Sequence, residues 1–235
     1  MKLLIIIPTY NEIENIQVII REVFRCVSDN EQCDILIVDD NSPDKSADAV
    51  KALQNEYGNR LFLLLREGKK GFASAYIDGY SWGIEKSYDC FLDMDADFSH
   101  DPKYIMTMLE NIKKYDFVIG SRNINGGKIE GWPFWRHILS KGGSLYSRII
   151  LGCPIKDLTG GYNMWRKETI EGIELNTIIS EGYSFQIEKK YRAYKKRYKY
   201  IEIPIVFKDR AYGISKMSKK IFFEALINVW KIKYI

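Results

Sequence analysis

The feature that most constrains the fold is a regular alternation of short apolar runs with helical patterns in the first half of the chain. Runs such as "DILIVDD" and "LFLLL" are apolar on both faces, which is typical of parallel strands covered by helices on both sides. Strands are predicted at 3–8, 34–40, 61–65, 89–95 and 116–121, with helices at 13–27, 45–57, 72–86 and 103–114. The alternation predicts a doubly wound α/β fold, with a mostly parallel central sheet and helices on both faces.

Two of these helices carry sequence signals for their start. Asn11 and Glu14 have the spacing of a capping box before the first helix. Asp101 and Pro102 fit the N-cap and N1 positions of the fourth helix.

The second half of the chain is less regular and is rich in glycine and aromatic residues between 120 and 165. Helices are predicted at 136–150 and 182–196, a strand at 198–207 and a final helix from about 216. No internal repeat, low-complexity tract or linker interrupts the chain, so we expect one domain over residues 1–235.

Composition excludes several classes of protein. A chain of 235 residues with 46% hydrophobic and 28% charged residues is an ordinary globular one. Its net charge of +4 is too small to indicate a nucleic-acid partner by itself. Four cysteines without a C-x-x-C pair and only two histidines do not predict a zinc site, and they favour unpaired thiols in a reducing compartment. No signal peptide and no apolar stretch of about 18–20 residues is present, so we expect a cytoplasmic protein, soluble or bound to a membrane surface.

Four polar loops follow the predicted strands, at 8–12, 39–44, 66–75 and 95–101. Each could be an ordinary connection. Because ligands of open α/β sheets bind outside the carboxyl ends of the strands, four such loops at one edge predict a binding crevice.

The last of these loops begins with "LDMDADFSHDP", which places Asp93, Asp95 and Asp97 at alternate positions. One interpretation is a solvated acidic turn, and another is a site for a hard divalent cation, which takes one or two carboxylates and substrate phosphates. No phosphate-binding P-loop or G-x-G-x-x-G turn is present, so a nucleotide diphosphate bound through Mg²⁺ or Mn²⁺ fits better. We expect Asp95 and Asp97 to be the metal ligands, and Asp93 and Asp101 to be turn and cap residues. An acid–base pair for glycoside hydrolysis is the alternative, although adjacent positions on one loop supply it poorly.

The ordered motifs carry a family resemblance. "IIIPTYNE", "VDDNSPD", "KGFASA", "MDADFSHDP" and "GSR" occur in the order found in family-2 glycosyltransferases of the GT-A fold. "GGKIEGWPFWRHILSKGGSLYSRIILG", "IKDLTGGYNMWRKE", "SEGYSFQIE" and "IEIPIVFKDRAYGISKMS" are similar to polyprenol-phosphate (dolichol-phosphate) mannosyltransferases. The resemblance runs from about residue 3 to the end.

The resemblance implies roles for individual residues. It assigns the nucleotide sugar, GDP-mannose, to Pro8, Tyr10, Glu12, Asp39, Asp40, Lys70 and Asp95. It assigns the metal to Asp95 and Asp97, with Ser99 as a weaker candidate, and the phosphate groups to Arg122, Arg136, Arg210 and Lys216. Asp95, Asp97, Arg122 and Arg210 are the expected catalytic residues, and Asp157 is a candidate catalytic or structural carboxylate. Asn163 departs from the family, which usually has Arg or Lys there.

The expected reaction is attack of a polyprenyl phosphate oxygen on C1 of mannose, with inversion and departure of GDP. The resemblance divides the chain into a nucleotide-sugar half, about 1–121, and an acceptor half, about 122–235. A phosphate ester is already largely anionic at neutral pH, so no strong base is required, and His100 is expected to be a hydrogen-bonding loop residue. Arginines and the cation would hold the two anions together.

Two further segments bear on the location of the protein. The run "KKYRAYKKRYK", at 189–199, is expected to be a solvated basic helix face or to attract an anionic membrane, and no RNA-binding motif accompanies it. The final helix places an apolar face either in the core or at a membrane interface; its residues are Ile221, Phe222, Ala225, Leu226, Val229 and Trp230. A lipid acceptor favours a peripheral position at the cytoplasmic face of a membrane, and a membrane-anchoring subunit is a candidate partner.

Two other functions remain open on the sequence alone. A transferase of the same fold could move another sugar, such as glucose from UDP-glucose, to a lipid phosphate or a glycan. A non-catalytic nucleotide-sugar or RNA-binding module is the alternative from another class, and the acidic residues at 95 and 97 argue against it.

Overall fold

A central sheet of seven strands organises the protein, whose computed structural model describes residues 1–27, 32–68, 71–209 and 219–235. The strands are β1 (Leu3–Thr9), β2 (Cys33–Asp39), β3 (Leu61–Leu65), β4 (Cys90–Asp93), β5 (Phe117–Ser121), β6 (Lys128–Glu130), β7 (Asn163–Arg166), β8 (Tyr200–Pro204) and β9 (Val206–Lys208). The central sheet has the order β3-β2-β1-β4-β7-β5-β8, and β6 pairs with β9 in a separate small sheet. Only β7 runs antiparallel to its neighbours among these described strands, so the predicted mostly parallel sheet is confirmed.

Helices cover both faces of this sheet, as predicted. They are α1 (Ile13–Cys26), α2 (Ser46–Tyr57), α3 (Phe72–Glu85), α4 (Ile105–Ile112), α5 (Phe134–Leu151), α6 (Lys167–Gly172), α7 (Gly182–Lys195) and α8 (Lys219–Lys233). Short 3₁₀ turns occupy Gly58–Arg60, Pro102–Tyr104 and Leu175–Thr177. Among the residues described, no helix combines the length and apolar character needed to cross a bilayer.

Strand β1 shows how one sequence supplies two cores. Ile5 and Ile7 belong to one hydrophobic cluster with α1, whereas Leu4 and Ile6 belong to a second cluster with α3. All four side chains are fully buried. Because successive side chains of a strand point to opposite faces, the unbroken apolar run "LLIII" is what a strand between two helical layers requires.

One predicted strand of the second half has the wrong extent, and another strand was not predicted. The strand expected at 198–207 is divided, because its partner β5 ends at Ser121. After Ile205 donates to the Ser121 carbonyl, β9 continues along β6 instead. Strand β7 was missed, because its four residues follow a glycine pair and pair only with strands far away in sequence.

The predicted capping box at Asn11 and Glu14 is also wrong. Glu12 is the N-cap residue of α1, and its side chain makes no capping bond. The amide of Ile13 instead donates to Asp44 Oδ2, in the loop after β2, at 3.0 Å. The second signal is confirmed, since Asp101 Oδ1 accepts the Lys103 amide at 3.1 Å at the start of the 3₁₀ turn before α4.

Candidate active site

The sheet topology brings two sets of loops to one edge. Strands β1, β2 and β4 are parallel and end there, and β5 ends beside them. Because β7 is antiparallel, its first residue, Asn163, lies opposite the last residue of β4, Asp93. The loop before β7 therefore reaches the same edge. We call the part formed by the loops after β1, β2 and β4 the acidic half, and the part formed by the end of β5 and the loop before β7 the basic half.

Asp93, the first of the three alternating carboxylates, is a fully buried core residue. Its carboxylate accepts hydrogen bonds from Lys189 Nζ at 2.6 Å, from Trp165 Nε1 at 3.0 Å and from the hydroxyl of Tyr80. The expectation that Asp93 is a turn residue is therefore wrong. The buried ammonium of Lys189 offsets its charge.

Asp95 and Asp97 lie in a compact turn after β4, in which Phe98 takes a left-handed conformation, with φ 62°. The amide of Asp95 donates to His100 Nδ1 at 3.0 Å, and Asp97 Oδ1 accepts the amide of Ser99 at 3.1 Å. The Asp95 side chain is 34% exposed, whereas Asp97 is buried. The turn thus presents one carboxylate outward and holds the other beneath it.

The donor set of this turn fits a hard divalent cation. The hydroxyl of Ser99 is buried and has no hydrogen-bond partner among the residues described. Two carboxylates and a hydroxyl are the oxygen ligands that Mg²⁺ and Mn²⁺ prefer. Over the described ranges no cluster of three or more His, Cys, Asp or Glu side chains could hold a metal. Burial raises the pKa of Tyr76 well above its usual range, and the nearby carboxylates of Asp95 and Asp97 add to this effect.

His100 is confirmed as a hydrogen-bonding residue of this loop. The imidazole is buried, accepts the Asp95 amide and stacks on Tyr162 with the ring centroids 4.8 Å apart. Burial is the largest cause that lowers the pKa of His100, to about 4. The ring is therefore neutral at physiological pH and has its Nδ1 atom occupied as an acceptor.

The residues predicted to hold the nucleotide lie at the ends of β1 and β2. Pro8 is in β1, and Tyr10 and Glu12 follow it, half-buried. Asp39, at the end of β2, is buried and accepts both the amide and the hydroxyl of Ser42 at 2.8 Å. Asp39 is therefore oriented by its own loop.

Arg66 contacts one of the predicted site residues and was not itself predicted as a site residue. Its Nε atom lies 3.0 Å from Asp40 Oδ1, and both side chains are buried. It also donates to Ser74 Oγ at 2.8 Å and lies 3.5 Å from Asp78. Its position directly after β3, at the predicted crevice edge, was the available signal. Lys70, in the same loop, lies outside the described residues.

Arg122 and Asp157 form the centre of the basic half. Asp157 Oδ2 accepts from the amide and the Nε atom of Arg122 at 2.9 and 2.8 Å, and Oδ1 accepts from Nη2 at 2.7 Å. Burial opposes the charge of Asp157, but the attraction and hydrogen bonds of Arg122 outweigh it and lower the pKa of Asp157 to about 2. Asp157 is therefore an ionised partner that orients Arg122, and its oxygens are occupied.

Two aromatic rings bring Arg122 and Arg136 together. The Arg122 guanidinium lies 5.3 Å from the centroid of Phe207, and the Arg136 guanidinium lies 4.1 Å from that of Trp132. The two rings pack edge to face at 5.3 Å. Arg136 also pairs with Asp209 at 3.0 Å. The predicted phosphate residues Arg210 and Lys216 lie outside the described residues.

Asn163 is fully buried at the start of β7. Its Nδ2 atom donates to the Gly160 carbonyl and to Gln186 Oε1, both at 3.2 Å. The Asn163 amide is therefore held by its own loop and by α7.

The expectation of a solvated basic face at 189–199 is wrong for its first turn. Lys189 and Lys190 are fully buried and Arg192 is nearly so. Arg192 pairs with Glu188 at 2.6 Å. Helix α7 instead places Lys189 against Asp93, at the end of β4, and Lys190 against the loop before β7. The basic residues of this run that are exposed are Lys195, Lys196, Arg197 and Lys199.

The architecture matches that of solved glycosyltransferases. Glucosyl-3-phosphoglycerate synthase from Mycobacterium tuberculosis, solved with Mn²⁺, uridine diphosphate and glucosyl-3-phosphoglycerate, superposes with a TM-score of 0.73. The match covers 100% of this chain and 80% of that one, at 14% sequence identity. At that identity the likeness concerns the fold alone, which is the GT-A glycosyltransferase fold.

Sequence comparison then gives the family. The model described as glycosyl transferase family 2 matches residues 4–174. The undecaprenyl-phosphate mannosyltransferase of Micrococcus luteus is 42% identical over 97% of this chain and 93% of its own length. The polyprenol monophosphomannose synthase of Mycolicibacterium smegmatis is 39% identical over 98% and 87%, and the dolichol-phosphate mannosyltransferase of Pyrococcus furiosus is 39% identical over 99% and 64%. The chain belongs to glycosyl transferase family 2, and the resemblance stated from its motifs is confirmed.

Proposed function

We propose that the protein transfers mannose from GDP-mannose to a polyprenyl monophosphate, with inversion, to give polyprenyl-phosphate mannose and GDP. The observation that carries this proposal is the meeting of an acidic and a basic half at one sheet edge, in a chain whose relatives are named for this transfer. Strands from both halves of the chain share one sheet, which supports a single domain over 1–235. Residues of about 1–121 take the nucleotide sugar, and those of about 122–235 take the acceptor.

The acidic half would bind the nucleotide sugar through Mg²⁺ or Mn²⁺. Asp95 and Asp97 would be ligands, and the unpartnered hydroxyl of Ser99 supports a third contact. When bound, the cation neutralises negative charge that develops on the leaving diphosphate. The presence of Mn²⁺ in a solved structure of the same fold supports this choice of metal.

The basic half would bind the acceptor phosphate. Arg122 is fixed by Asp157 and lies over Phe207, and Arg136 lies over Trp132. The acceptor oxygen is already anionic, and His100 is neutral and hydrogen-bonded, so the chemistry rests on holding two anions in line. Fixed arginine donors reduce the repulsion between them.

The lipid chain of the acceptor requires contact with a membrane. Helix α5 exposes a row of large apolar side chains, namely Phe134, Trp135, Ile138, Leu145 and Ile149. Tyr146 joins it to α8, donating to the Leu226 carbonyl at 3.1 Å and accepting from Trp230 Nε1 at 2.9 Å. We call the exposed apolar side chains of α5, with Ile227 and Trp230 of α8, the α5/α8 surface.

The α5/α8 surface would lie on the cytoplasmic face of a membrane, with the exposed cations after α7 adding attraction to anionic lipids. The final helix alone exposes too little apolar surface for this contact, because its residues Val229 and Ile232 are buried in the core. Ile221, Phe222 and Ala225 have no described side chains. A membrane-anchoring subunit remains a candidate partner for the same surface.

The test is transfer of labelled mannose from GDP-mannose to a short polyprenyl phosphate, with Mn²⁺, with Mg²⁺ and with a chelator. An organic-extractable mannolipid that the chelator abolishes supports donor, acceptor and metal together. Transfer only from UDP-glucose would keep the reaction class and replace the sugar, and transfer that persists in Asp97→Ala would contradict the metal assignment.

A further inference from the structure

Helix α7 carries a second buried lysine, Lys190. The hydrogen bonds described for its ammonium all go to backbone carbonyl oxygens and none goes to a carboxylate. Lys190 Nζ donates to the backbone carbonyl oxygens of Asp157 at 2.8 Å, Leu158 at 3.2 Å and Gly160 at 2.6 Å. Its side chain is fully buried. All three donors of the ammonium are therefore directed at one short segment, residues 157–160.

The same segment fixes the guanidinium of Arg122. The Asp157 carboxylate accepts from Arg122 Nε and Nη2, and Thr159 Oγ1 accepts from Nη2 at 3.0 Å. The amide of Gly160 in turn donates to Asp157 Oδ1 at 3.0 Å. Asp157 and Thr159, which both accept hydrogen bonds from this guanidinium, therefore lie in the segment whose backbone carbonyls accept from Lys190.

A cation at this depth is not explained by packing. Burial is the largest effect on Lys190 and lowers its pKa to about 7, with the charge of Asp157 acting in the opposite sense. A methionine of similar length would avoid the desolvation penalty. It would also leave three carbonyl oxygens of the segment without this donor, and the position of the segment would then be weakly specified.

We propose that Lys190 is a positioning residue for the acceptor phosphate. It holds residues 157–160 in place, and through Asp157 and Thr159 it fixes the direction of Arg122, without itself touching substrate. This inference rests on the proposed function, because it assigns Arg122 to the acceptor.

The test compares Lys190→Met with Lys189→Met. The two lysines are adjacent, fully buried and on the same helix, but Lys189 is bonded to Asp93 and Tyr80 in the core. We expect Lys190→Met to raise the KM for polyprenyl phosphate about tenfold or more while the KM for GDP-mannose stays within twofold. Lys189→Met should leave the KM for polyprenyl phosphate within twofold.

A second measurement does not depend on turnover. Hydrogen exchange at the amides of Arg122 and Gly160, which both donate to Asp157, should be at least tenfold faster in Lys190→Met than in the unmodified protein, measured relative to the exchange of the β1 amides. If Lys190→Met does not fold, Lys190→Gln keeps an N–H donor and removes the charge, and the same ordering is expected.

The two proposals fail in different ways. No mannose transfer by the unmodified protein would contradict the proposed function, and the exchange rates would still test the role of Lys190. Equal rises in both KM values, equal effects of the two methionine variants, or unchanged amide exchange in Lys190→Met would overturn the inference.

Discussion

At the scale of single residues, three aspartates of one motif have three different environments. Asp93 is tied to a buried lysine, Asp97 is buried beneath a turn, and Asp95 is partly exposed. Strand β4 ends at Asp93, so the alternation that would place all three on one side stops at the first of them. The carboxylates therefore separate into one in the core and two in the turn that follows the strand.

This separation predicts opposite effects for two conservative substitutions. Asp97→Asn should lower kcat/KM about 100-fold or more, because a charged oxygen is lost at the leaving diphosphate, and should leave stability nearly unchanged. Asp93→Asn should instead reduce the free energy of unfolding by about 3 kcal/mol, because Lys189 loses its buried partner. Steady-state kinetics and urea unfolding of both variants measure the two effects. An unfolding loss in Asp97→Asn as large as that in Asp93→Asn would contradict the separation.

Asp157 predicts a pH dependence of stability. Its pKa falls from 3.8 to about 2 in the folded protein. A lowered carboxyl pKa contributes stability that is fully present above pH 3.8 and is lost as the pH falls towards 2. The difference amounts to about 2 kcal/mol.

The measurement is urea unfolding at pH 4.5 and pH 2 for the unmodified protein and for Asp157→Asn. Other carboxyl groups titrate in both proteins, so their contributions cancel in the comparison. The variant should lose about 2 kcal/mol less over this interval. Equal losses in the two proteins would show that Arg122 does not stabilise the ionised form.

At the scale of elements, helix α3 lies close to the sheet because it has glycine where it crosses β1. A Cβ atom at Gly83 would lie 2.7 Å from Leu4 Cδ2, and one at Gly79 would lie 2.7 Å from Ile6 Cγ2. Both contacts are with fully buried side chains. Close approach therefore requires glycine at these positions, against its low helix propensity.

Gly83→Ala should accordingly destabilise the protein by about 1–3 kcal/mol through overpacking. Gly142→Ala is the matched control, because Gly142 lies within α5 and a Cβ atom there meets nothing within 4 Å. The control should stabilise the protein by about 0.5–1 kcal/mol. Thermal or urea unfolding gives both values, and a stabilising Gly83→Ala would contradict the close packing of α3.

Element prediction worked where local pattern determines structure. The five strands and four helices of the first half follow from apolar runs and helical periodicity. Strand β7 and the small β6–β9 sheet depend on partners far apart in the chain, which periodicity does not report. The acidic turn was located from the sequence, whereas the burial of Lys189 and Lys190 was missed, because charged side chains in a basic run are usually solvated.

At the scale of the whole molecule, the crevice and the α5/α8 surface belong to one connected region. Helix α5 begins next to Trp132 and Arg136, which border the basic half, and then carries its exposed apolar row towards α8. A phosphate held by the basic half would thus have its lipid chain beside apolar side chains.

This arrangement predicts that membrane binding and transfer can be separated. Ile138→Ser combined with Ile149→Ser should reduce sedimentation with anionic vesicles at least fivefold and lower transfer to a vesicle-embedded acceptor. Transfer to a short, water-soluble polyprenyl phosphate should be unchanged. Val18→Ser, an equally exposed apolar position on α1, is the control and should alter neither. Equal loss with both acceptors would indicate damage to the fold instead.

The antiparallel strand β7 also has a consequence for synthesis of the chain. The first 93 residues contain every strand of the β3-β2-β1-β4 portion, but β5 pairs only with β7 and β8 among the described strands. While the chain emerges from the ribosome, the outer edge of β4 therefore stays open until residue 166 has been made. An open edge is a template for pairing with other chains, so the interval between residues 93 and 166 is when the nascent protein is most exposed to aggregation.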